Sequence, residues 1–271
     1  MNVDWFITNI CDQARFCRFC YAPWNAFPSD VPIQRALDLC SRLISLKVHT
    51  VTICGGEPQL YPELGVVLHR LSSAGIKTIL YTNAIPVRED FTQLLTDISI
   101  LSLPVDAVTD GVVDRMRGRH QFERVQHVLT QLDGDQTSPA VKVGTVVTRQ
   151  NIGDLEAVGK FLATHGSVAI WRLYQFSPYG IGRTHQRELL LSDGEFDEAM
   201  NALTQISWPF RLSVRSRSDN TGYCLIMDSH GSFYRYEEAY IPLGVSIFET
   251  RDAILEHYDL EKNGRQKSWA A

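Results

Sequence analysis

The chain has 271 residues, of which 44% are hydrophobic and 21% are charged, and its formal net charge is -5. This composition is ordinary for a globular protein and excludes a largely disordered chain. The acidic balance, with a pI of about 5.9, argues against an extended nucleic-acid surface. The first residues lack the pattern of a signal peptide, and no apolar run has the length of a membrane span. We therefore expect a cytoplasmic protein.

Apolar runs of strand length alternate with helix-like periodicity along the first 215 residues. The predicted strands are residues 5–9, 50–53, 78–82, 99–105, 141–147 and 169–176. The predicted helices are residues 32–46, 60–74, 91–96, 122–131 and 154–165. A βα repeat of this kind predicts a parallel sheet that is buried on both faces, either open or closed into a barrel.

The last part of the chain has a different pattern. A glycine-containing loop follows the sixth strand, and a helix is predicted over residues 192–206, where Ser192 and Glu195 can form a capping box. Short strand-like runs and a helix over residues 251–258 complete the chain. We predict a core over residues 1–215 and an extension over residues 216–271 that packs on the same domain.

Three cysteines follow the first predicted strand. Cys11, Cys17 and Cys20 are spaced Cys-x5-Cys-x2-Cys, and the residues between them are largely polar, which argues against three buried thiols. A structural zinc site needs four ligands, and no second Cys-x2-Cys pair is present. A [4Fe-4S] cluster held by three thiolates leaves one iron open to another ligand, so this spacing points to chemistry. We interpret the other three cysteines as packing residues: Cys40, Cys54 and Cys224.

The tetrapeptide "GGEP" follows the second predicted strand directly. The carboxyl ends of parallel strands share one edge of the sheet, so these residues should lie near the cysteines. Glycines let the backbone approach a ligand, and a carboxylate suits an ammonium group. Alone, "GGEP" could also be a turn that leads into the next helix.

The three-cysteine loop, the aromatic Phe19 before its last cysteine, and "GGEP" one strand later resemble the radical S-adenosylmethionine (SAM) enzymes. The common first gap in that family is three residues, whereas this chain has the longer gap of five. The resemblance implies an α/β fold with a partial (β/α)6 barrel. It also implies a [4Fe-4S] cluster on the three cysteines, and SAM held by Phe19 and by Gly55, Gly56, Glu57 and Pro58.

Other segments extend this resemblance. "LYTNA" is similar to the end of strand three in the family, which makes Asn83 a candidate SAM contact. The segment after strand four supplies an arginine for the SAM carboxylate, with Arg119 as the first candidate and Arg117 as the second. Relatives often place a ribose-binding serine where this chain has Pro104, so we expect Asp106 or Asn83 to take that part.

The chain most resembles the viperin and molybdenum-cofactor-cyclase branch, through "WRLYQF", "LLLSDGEFDEAM" and "YCLIMDSHGSF". Of the basic residues that viperin places around strands five and six, only Arg172 has a counterpart, so we expect a smaller nucleoside-, sugar- or amino-acid-like substrate. The predicted substrate residues are Tyr81, Arg172, Tyr174, Gln175 and Tyr223, with Arg183 and His185 as further candidates from the loop after strand six.

The resemblance implies cleavage of SAM to a 5'-deoxyadenosyl radical that abstracts hydrogen from the substrate. It also implies an external electron donor, such as a flavodoxin- or ferredoxin-like protein. We expect a single cluster, because Cys224 is the one cysteine beyond Cys54. Two alternatives remain open at this point: modification of a peptide or RNA by the same chemistry, and a metal-binding protein that acts without turnover.

Overall fold

The computed structural model describes residues 1–22, 27, 31–84, 91–117, 120–134, 138–220, 225–236 and 240–257. Within these residues the strands are β1 (Asn2–Thr8), β2 (Thr50–Gly55), β3 (Lys77–Tyr81), β4 (Ile100–Pro104), β5 (Ala140–Val147), β6 (Val168–Gln175), β7 (Arg211–Arg215), β8 (Leu225–Met227), β9 (Ser232–Tyr236) and β10 (Tyr240–Ser246). They form one sheet in the order β10-β9-β8-β1-β2-β3-β4-β5-β6-β7.

The first six strands are parallel, and each is paired with the next along the chain. This is the arrangement of a partial (β/α)6 barrel, and it confirms the predicted fold class. Each of the six predicted strands is present. Strand β1 starts earlier than predicted, at Asn2, because Asn2 and Val3 pair with Thr50 and Val51 of β2.

The helices within the described residues are α1 (Ile33–Ser45), α2 (Leu64–Ser72), α3 (Phe91–Leu94), α4 (Asp110–Arg117), α5 (Gln121–Leu132), α6 (Leu155–Leu162), α7 (Gln186–Leu189), α8 (Asp193–Thr204) and α9 (Arg251–Leu255). The sequence analysis missed α4 and α7. The capping box at the start of α8 is confirmed, since the Ser192 hydroxyl accepts from the Glu195 N–H and the Glu195 carboxylate accepts in return. None of these helices is long and apolar enough to cross a membrane.

Both faces of the parallel sheet are buried, and they pack in different apolar clusters. Val51 and Ile53 of β2 lie in the main core, which the helices cover on the outside. Cys54 points the other way and packs against Phe6 and Phe27 inside the barrel. The near-continuous apolar character of the central strands has this physical cause, because helices cover the outer face and most of the inner face is packed as well.

The extension joins the sheet at the edge formed by β1. Strand β8 pairs with β1 in parallel, and β9 and β10 follow as antiparallel strands. Strand β7 lies at the opposite edge, paired with β6. Strands on both sides of the predicted division at residue 215 therefore belong to one sheet, while the division itself stays a prediction.

Candidate active site

A cavity of about 410 Å³ is lined by residues at or near the carboxyl ends of the parallel strands. Its volume is within the range of small-molecule sites. We call its two parts the cysteine side, which comprises the loop of residues 11–20 and the turn of residues 55–57, and the basic side, which comprises Lys142, Arg172 and Arg215. The three cysteines and the two glycines line the same cavity as Arg172 and Arg215, and the buried Lys142 contacts Tyr81, which also belongs to the lining.

The loop that carries the cysteines is held by its own backbone. Cys17 donates its N–H to the carbonyl of Gln13 at 3.1 Å, and Cys20 donates to the carbonyl of Cys17 at 3.2 Å. Cys11, Cys17 and Cys20 all line the cavity. Burial raises the pKa of the Cys11 thiol to about 12 and also raises that of Cys17, where the neighbouring Arg117 opposes the increase.

The two glycines of "GGEP" let β2 approach the end of β1. A Cβ on Gly55, whose φ is +134°, would lie 2.2 Å from the carbonyl oxygen of Thr8, and one on Gly56 would lie 2.1 Å from that of Ile10. Hydrogen bonds run across this approach, from Gly56 N to Thr8 O and from Glu57 N to Ile10 O, both at 2.8 Å. The contact that requires glycine here is therefore with the chain that enters the cysteine loop.

The Glu57 side chain is fully buried and is surrounded by donors. Its Oε1 accepts from Gln59 N at 3.0 Å and from the Thr82 hydroxyl at 2.7 Å, and its Oε2 accepts from Asn83 N at 2.6 Å. Burial raises the pKa of Glu57 to about 7, although these donors oppose the increase. Glu57 thus links the end of β2 to the end of β3. Its contact with SAM, and that of Pro58 beside it, stay predictions.

The donor set of the cysteine side fits an iron-sulfur cluster. Three thiols line one cavity, and thiolates are the usual ligands of such clusters. Within the part of the chain that the structure describes, no three His, Cys, Asp or Glu side chains are grouped around one metal-ion position. A cubane does not require that grouping, because each thiolate binds a different iron atom.

Arg117, the last residue of α4, lines the cavity beside Cys17, and one of its Nη atoms lies 3.8 Å from that sulfur. Its guanidinium forms a short ion pair with Asp106 and lies over the Phe19 ring, 4.7 Å from the centroid. Although burial opposes the charge, Asp106 raises the pKa of Arg117. The first candidate for the SAM carboxylate, Arg119, lies outside the described residues.

The predicted ribose contacts differ in their positions. Asn83 lines the cavity, and its Nδ2 donates to Asp12 at 3.0 Å. Asp106, in contrast, is buried. Its carboxylate pairs with Arg117 and accepts a hydrogen bond from Val146 N at 2.7 Å. Ser102 also lines the cavity, two residues before Pro104 on the same face of β4. It is a hydroxyl that the sequence analysis missed, although the two-residue period of a strand could have identified it.

The basic side brings cations from three adjacent strands together. Lys142 of β5 is 4% exposed, and its ammonium lies 3.9 Å from the centroid of the Tyr81 ring and contacts the Tyr81 hydroxyl. Arg172 of β6 and Arg215 of β7 line the cavity beside it. Asp4 also lines the cavity and offsets part of this positive charge.

Two tyrosines lie among these cations. Although burial opposes it, Lys142 and Arg172 lower the pKa of Tyr174 to about 8. Burial lowers the pKa of Lys142 to about 8 as well, and it raises that of Tyr81 well above its usual value. Both phenols line the cavity, and their contact with a substrate stays a prediction.

The remaining candidates separate into three groups. Gln175 lines the cavity, but its side-chain amide donates to Asp193 at 2.7 Å and accepts from Arg217 N at 2.9 Å, so it also joins β6 to the elements that follow. Arg183 and His185 do not line the cavity, and His185 contacts Arg18 at 3.1 Å. Tyr223 lies outside the described residues, as does Cys224.

The sequence analysis identified Arg172 alone among the cations of the basic side. Lys142 was hidden in an apolar run that was read simply as a strand, and Arg215 was assigned to a peripheral run. A lysine inside a strand that is buried on both faces is an unusual placement, and this was the available signal for Lys142. Cys40 lies on the buried face of α1, as expected of a packing residue, whereas Cys54 both packs and lines the cavity.

The family profile described as the radical SAM superfamily matches residues 5–162, which is more than half of the chain. The chain therefore belongs to the radical SAM superfamily and is an enzyme. Its cofactors are a [4Fe-4S] cluster and SAM.

Two curated relatives are informative about the range of the superfamily. An S-adenosylmethionine-dependent nucleotide dehydratase of Flammeovirga pacifica is 24% identical over 262 residues, which cover 90% of this chain and 88% of that protein. The mycofactocin maturase MftC of Mycobacterium tuberculosis is 24% identical over 183 residues, which cover 66% of this chain. The chain spans about half the length of MftC, since 46% of that protein is covered.

Among solved structures, SuiB of Streptococcus suis bound to S-adenosylmethionine superposes with a TM-score of 0.72 at 15% identity. The superposition covers 98% of this chain and 67% of SuiB. At this level of identity the likeness supports the fold, and it agrees with the parallel sheet described above.

Proposed function

We propose that this enzyme cleaves SAM reductively at a single [4Fe-4S] cluster and abstracts hydrogen from a small metabolite that carries an acidic group. The observation that supports this most strongly is the shared cavity, which has three cysteines at one side and Arg172 and Arg215 at the other, with the buried Lys142 in contact with Tyr81 of the lining. Reductive cleavage of SAM, the chemistry that this cofactor pair supplies when bound, gives methionine and a 5'-deoxyadenosyl radical that takes a hydrogen atom from the substrate.

The residues of the cysteine side have the task of holding the cofactors. Cys11, Cys17 and Cys20 are the proposed iron ligands, and a single cluster is part of the proposal, which the position of Cys40 on the buried face of α1 supports. The proposed SAM contacts are Phe19, Gly55, Gly56, Glu57, Pro58, Asn83, Asp106 and Arg119, with Ser102 added from its position in the cavity.

The residues of the basic side have the task of binding and orienting the substrate. Arg172 and Arg215 of the lining attract an anionic group, and Tyr81 and Tyr174 offer hydroxyls and aromatic faces. Lys142 adds positive charge through its contact with Tyr81. Asp4 removes only part of the positive charge. A nucleotide satisfies these requirements, and the relative from Flammeovirga pacifica is named a nucleotide dehydratase. Sugar phosphates and acidic amino-acid derivatives satisfy them too.

The external electron donor expected from the sequence is part of the proposal. Ile10 precedes the cysteine loop and Phe16 lies within it, and they are 49% and 52% exposed. An apolar surface next to the cluster ligands is a suitable place for a flavodoxin- or ferredoxin-like donor to approach.

A peptide-modifying enzyme is the second candidate, and the similarity to MftC over 183 residues favours it. The two candidates differ in what should bind the cavity. A small metabolite needs the cations of the basic side alone, whereas a peptide needs a further surface outside the cavity. The burial of the basic side, where Lys142 is 4% exposed and Arg172 is 8% exposed, favours the small metabolite.

The experiment that tests the proposal is anaerobic reconstitution with iron and sulfide, followed by dithionite and SAM. We expect 5'-deoxyadenosine to form, and Cys17→Ala to lose both the iron-sulfur absorbance and this product. Cys40→Ala is the matched control, because Cys40 faces the core from α1, and it should keep both. Retention of a cluster and of SAM cleavage in Cys17→Ala would contradict the ligand assignment.

The substrate is tested by transfer of label. Deuterated nucleotides, sugar phosphates and acidic amino-acid derivatives are added in turn, and deuterium in 5'-deoxyadenosine identifies the compound from which hydrogen was taken. We expect transfer from an anionic compound and its loss in Arg172→Met. Transfer from a peptide alone, with none from small anions, would favour the second candidate.

A further inference from the structure

The three cysteines of the cavity have unequal surroundings. Cys17 faces a cation, since the Arg117 Nη1 lies 3.8 Å from its sulfur. Cys11 faces a neutral amide, since the Asn83 Nδ2 lies 4.0 Å from its sulfur. A charged N–H donor withdraws more negative charge from a thiolate than a neutral amide does. Cys17 is therefore distinguished from Cys11 by a charged donor at its sulfur.

The Arg117 guanidinium is held firmly where it meets Cys17. Its Nε pairs with Asp106, its plane lies over the Phe19 ring, and its side chain is 15% exposed. Asp106 is in turn fixed, because its carboxylate accepts from Val146 N at 2.7 Å and its carbonyl accepts from the Asn151 side chain at 2.7 Å. The arginine therefore needs little reorganisation to keep a donor on the Cys17 sulfur.

We propose that Arg117 is a positioning residue that donates an N–H···S hydrogen bond to the Cys17 thiolate and so raises the reduction potential of the cluster. Hydrogen bonds to the sulfurs and nearby charge are among the factors that set the potential of an iron-sulfur cluster. Reduction adds one electron and breaks no bond, so the reduced cluster carries more negative charge. A cation at 3.8 Å favours that state over the oxidised one.

This inference rests on the proposed ligand assignment of Cys17, and it differs from the expectation that an arginine after β4 binds the SAM carboxylate. A carboxylate-binding residue affects the affinity for SAM. A residue that tunes the cluster affects the potential when SAM is absent. The two properties can be measured separately on the same variants.

The test is a potentiometric titration of the reconstituted enzyme without SAM, followed by electron paramagnetic resonance, on the wild type and on R117Q, R117K and R115Q. Arg115 lies on the same helix and is exposed, so R115Q removes the same charge at a distance from the sulfurs. We expect R117Q to lower the equilibrium constant for one-electron reduction about tenfold, which is about 59 mV. R117K keeps the charge and should lie between R117Q and the wild type, and R115Q should stay within about twofold of the wild type.

The outcomes separate this inference from the proposed function. A wild type that assembles no cluster contradicts the proposed function itself. Equal potentials in R117Q and R115Q, with both clusters fully loaded, overturn the inference alone, and a weaker affinity for SAM in R117Q would then assign Arg117 to the SAM carboxylate. Failure of both Arg117 variants to retain iron, with native circular dichroism, would also overturn it, because Arg117 would then act in assembly.

Discussion

The cysteine side and the basic side of the cavity are built by different kinds of contact. On the cysteine side, two short segments meet through backbone hydrogen bonds, from Gly56 N to Thr8 O and from Glu57 N to Ile10 O. On the basic side, single side chains converge from β5, β6 and β7, which are far apart in the sequence. The cysteine side therefore tolerates little change in residue type, whereas residues of the basic side can change while the fold is kept.

This difference follows from the requirements of the two sides. A backbone-to-backbone approach is possible only where no Cβ intervenes, so it restricts a position to glycine. A strand that is buried on both faces accepts many side chains at its inward positions, as the neighbours Lys142, Gly144 and Val146 of β5 show. The cysteine side is thus suited to a fixed chemistry, and the basic side is suited to changes of substrate.

The substitution Gly56→Ala tests the cysteine side and should have the largest effect on stability and on cluster binding. Its Cβ would lie 2.1 Å from the Ile10 carbonyl oxygen, so the turn and the start of the cysteine loop have to move apart. We expect a loss of about 3 kcal/mol or more in the free energy of unfolding, together with loss of cluster binding. Denaturant unfolding and iron analysis measure these two quantities.

Gly153→Ala is the matched control, because a Cβ there would have no atom within 4 Å. It should change the unfolding free energy by less than about 0.5 kcal/mol. A Gly56→Ala protein as stable and as iron-rich as this control would show that the backbone approach does not define the cysteine side.

Replacement of Glu57 by glutamine should have the second largest effect. The carboxylate accepts from Gln59 N, the Thr82 hydroxyl and Asn83 N, and an amide places an NH₂ donor against one of these donors. The cost should be about 2 kcal/mol in the free energy of unfolding. Guanidinium unfolding of the apoprotein measures it, with Glu63→Gln as control, because the Glu63 side chain makes no capping hydrogen bond at the start of α2.

The pH dependence of this effect has a definite sign. Burial raises the pKa of Glu57 from 4.5 to about 7, so the folded protein binds a proton there that the unfolded chain has released. Stability from this group is therefore present at low pH and is lost as pH rises from about 4.5 to about 7. Glu57→Gln should lack this decrease, and an identical pH profile in both proteins would contradict the raised pKa.

The same contrast explains how much the sequence could predict. The six strands, the capping box at Ser192 and the neighbourhood of "GGEP" and the cysteines follow from local patterns, and the structure contains them. Local patterns did not show why Gly55 and Gly56 are required, because their neighbour is the backbone of β1. They also did not show that the Glu57 carboxylate accepts hydrogen bonds from Thr82 and Asn83, which directly follow β3.

The basic side was largely missed for a related reason. Whether Lys142 and Arg215 meet Arg172 depends on the register between β5, β6 and β7, in which Arg172 pairs with Gly144 and Tyr174 pairs with Arg215. Register is a property of the assembled sheet and has no signature in any one strand. The missed helix α4 matters in the same way, since it carries Arg117 to Cys17.

The third prediction concerns the basic side, where we expect function and stability to change in opposite directions. Burial lowers the pKa of Lys142 to about 8, which means that its charge is unfavourable in the folded state. Lys142→Met should raise the free energy of unfolding at pH 7 by about 1 kcal/mol or more and weaken the binding of anionic metabolites. Thermal unfolding and ligand titration measure the two effects.

The wild type should also gain stability from Lys142 as pH rises from about 8 to 10.5. Over this range the lysine has lost its proton in the folded protein but still holds it in the unfolded chain. The Lys142→Met variant should lack that gain. Lys160→Met on α6 is the control, since Lys160 is an exposed partner of Glu156. A destabilised Lys142→Met protein would mean that the lysine is a structural part of the cavity, like the glycines of the cysteine side.

The smallest expected effect is spectroscopic and tests the basic side alone. Lys142 and Arg172 lower the pKa of Tyr174 to about 8 against the effect of burial, whereas most phenols ionise near 10. A titration followed at 295 nm should therefore show one of the ten tyrosines of the chain ionising near pH 8. Tyr174→Phe should remove this step, and Lys142→Met should move it to higher pH, because a cation that favours the phenolate has been removed. If no tyrosine ionises below pH 9, the cations do not act on Tyr174 as their positions indicate, and the charge available to a substrate anion is smaller than the geometry implies.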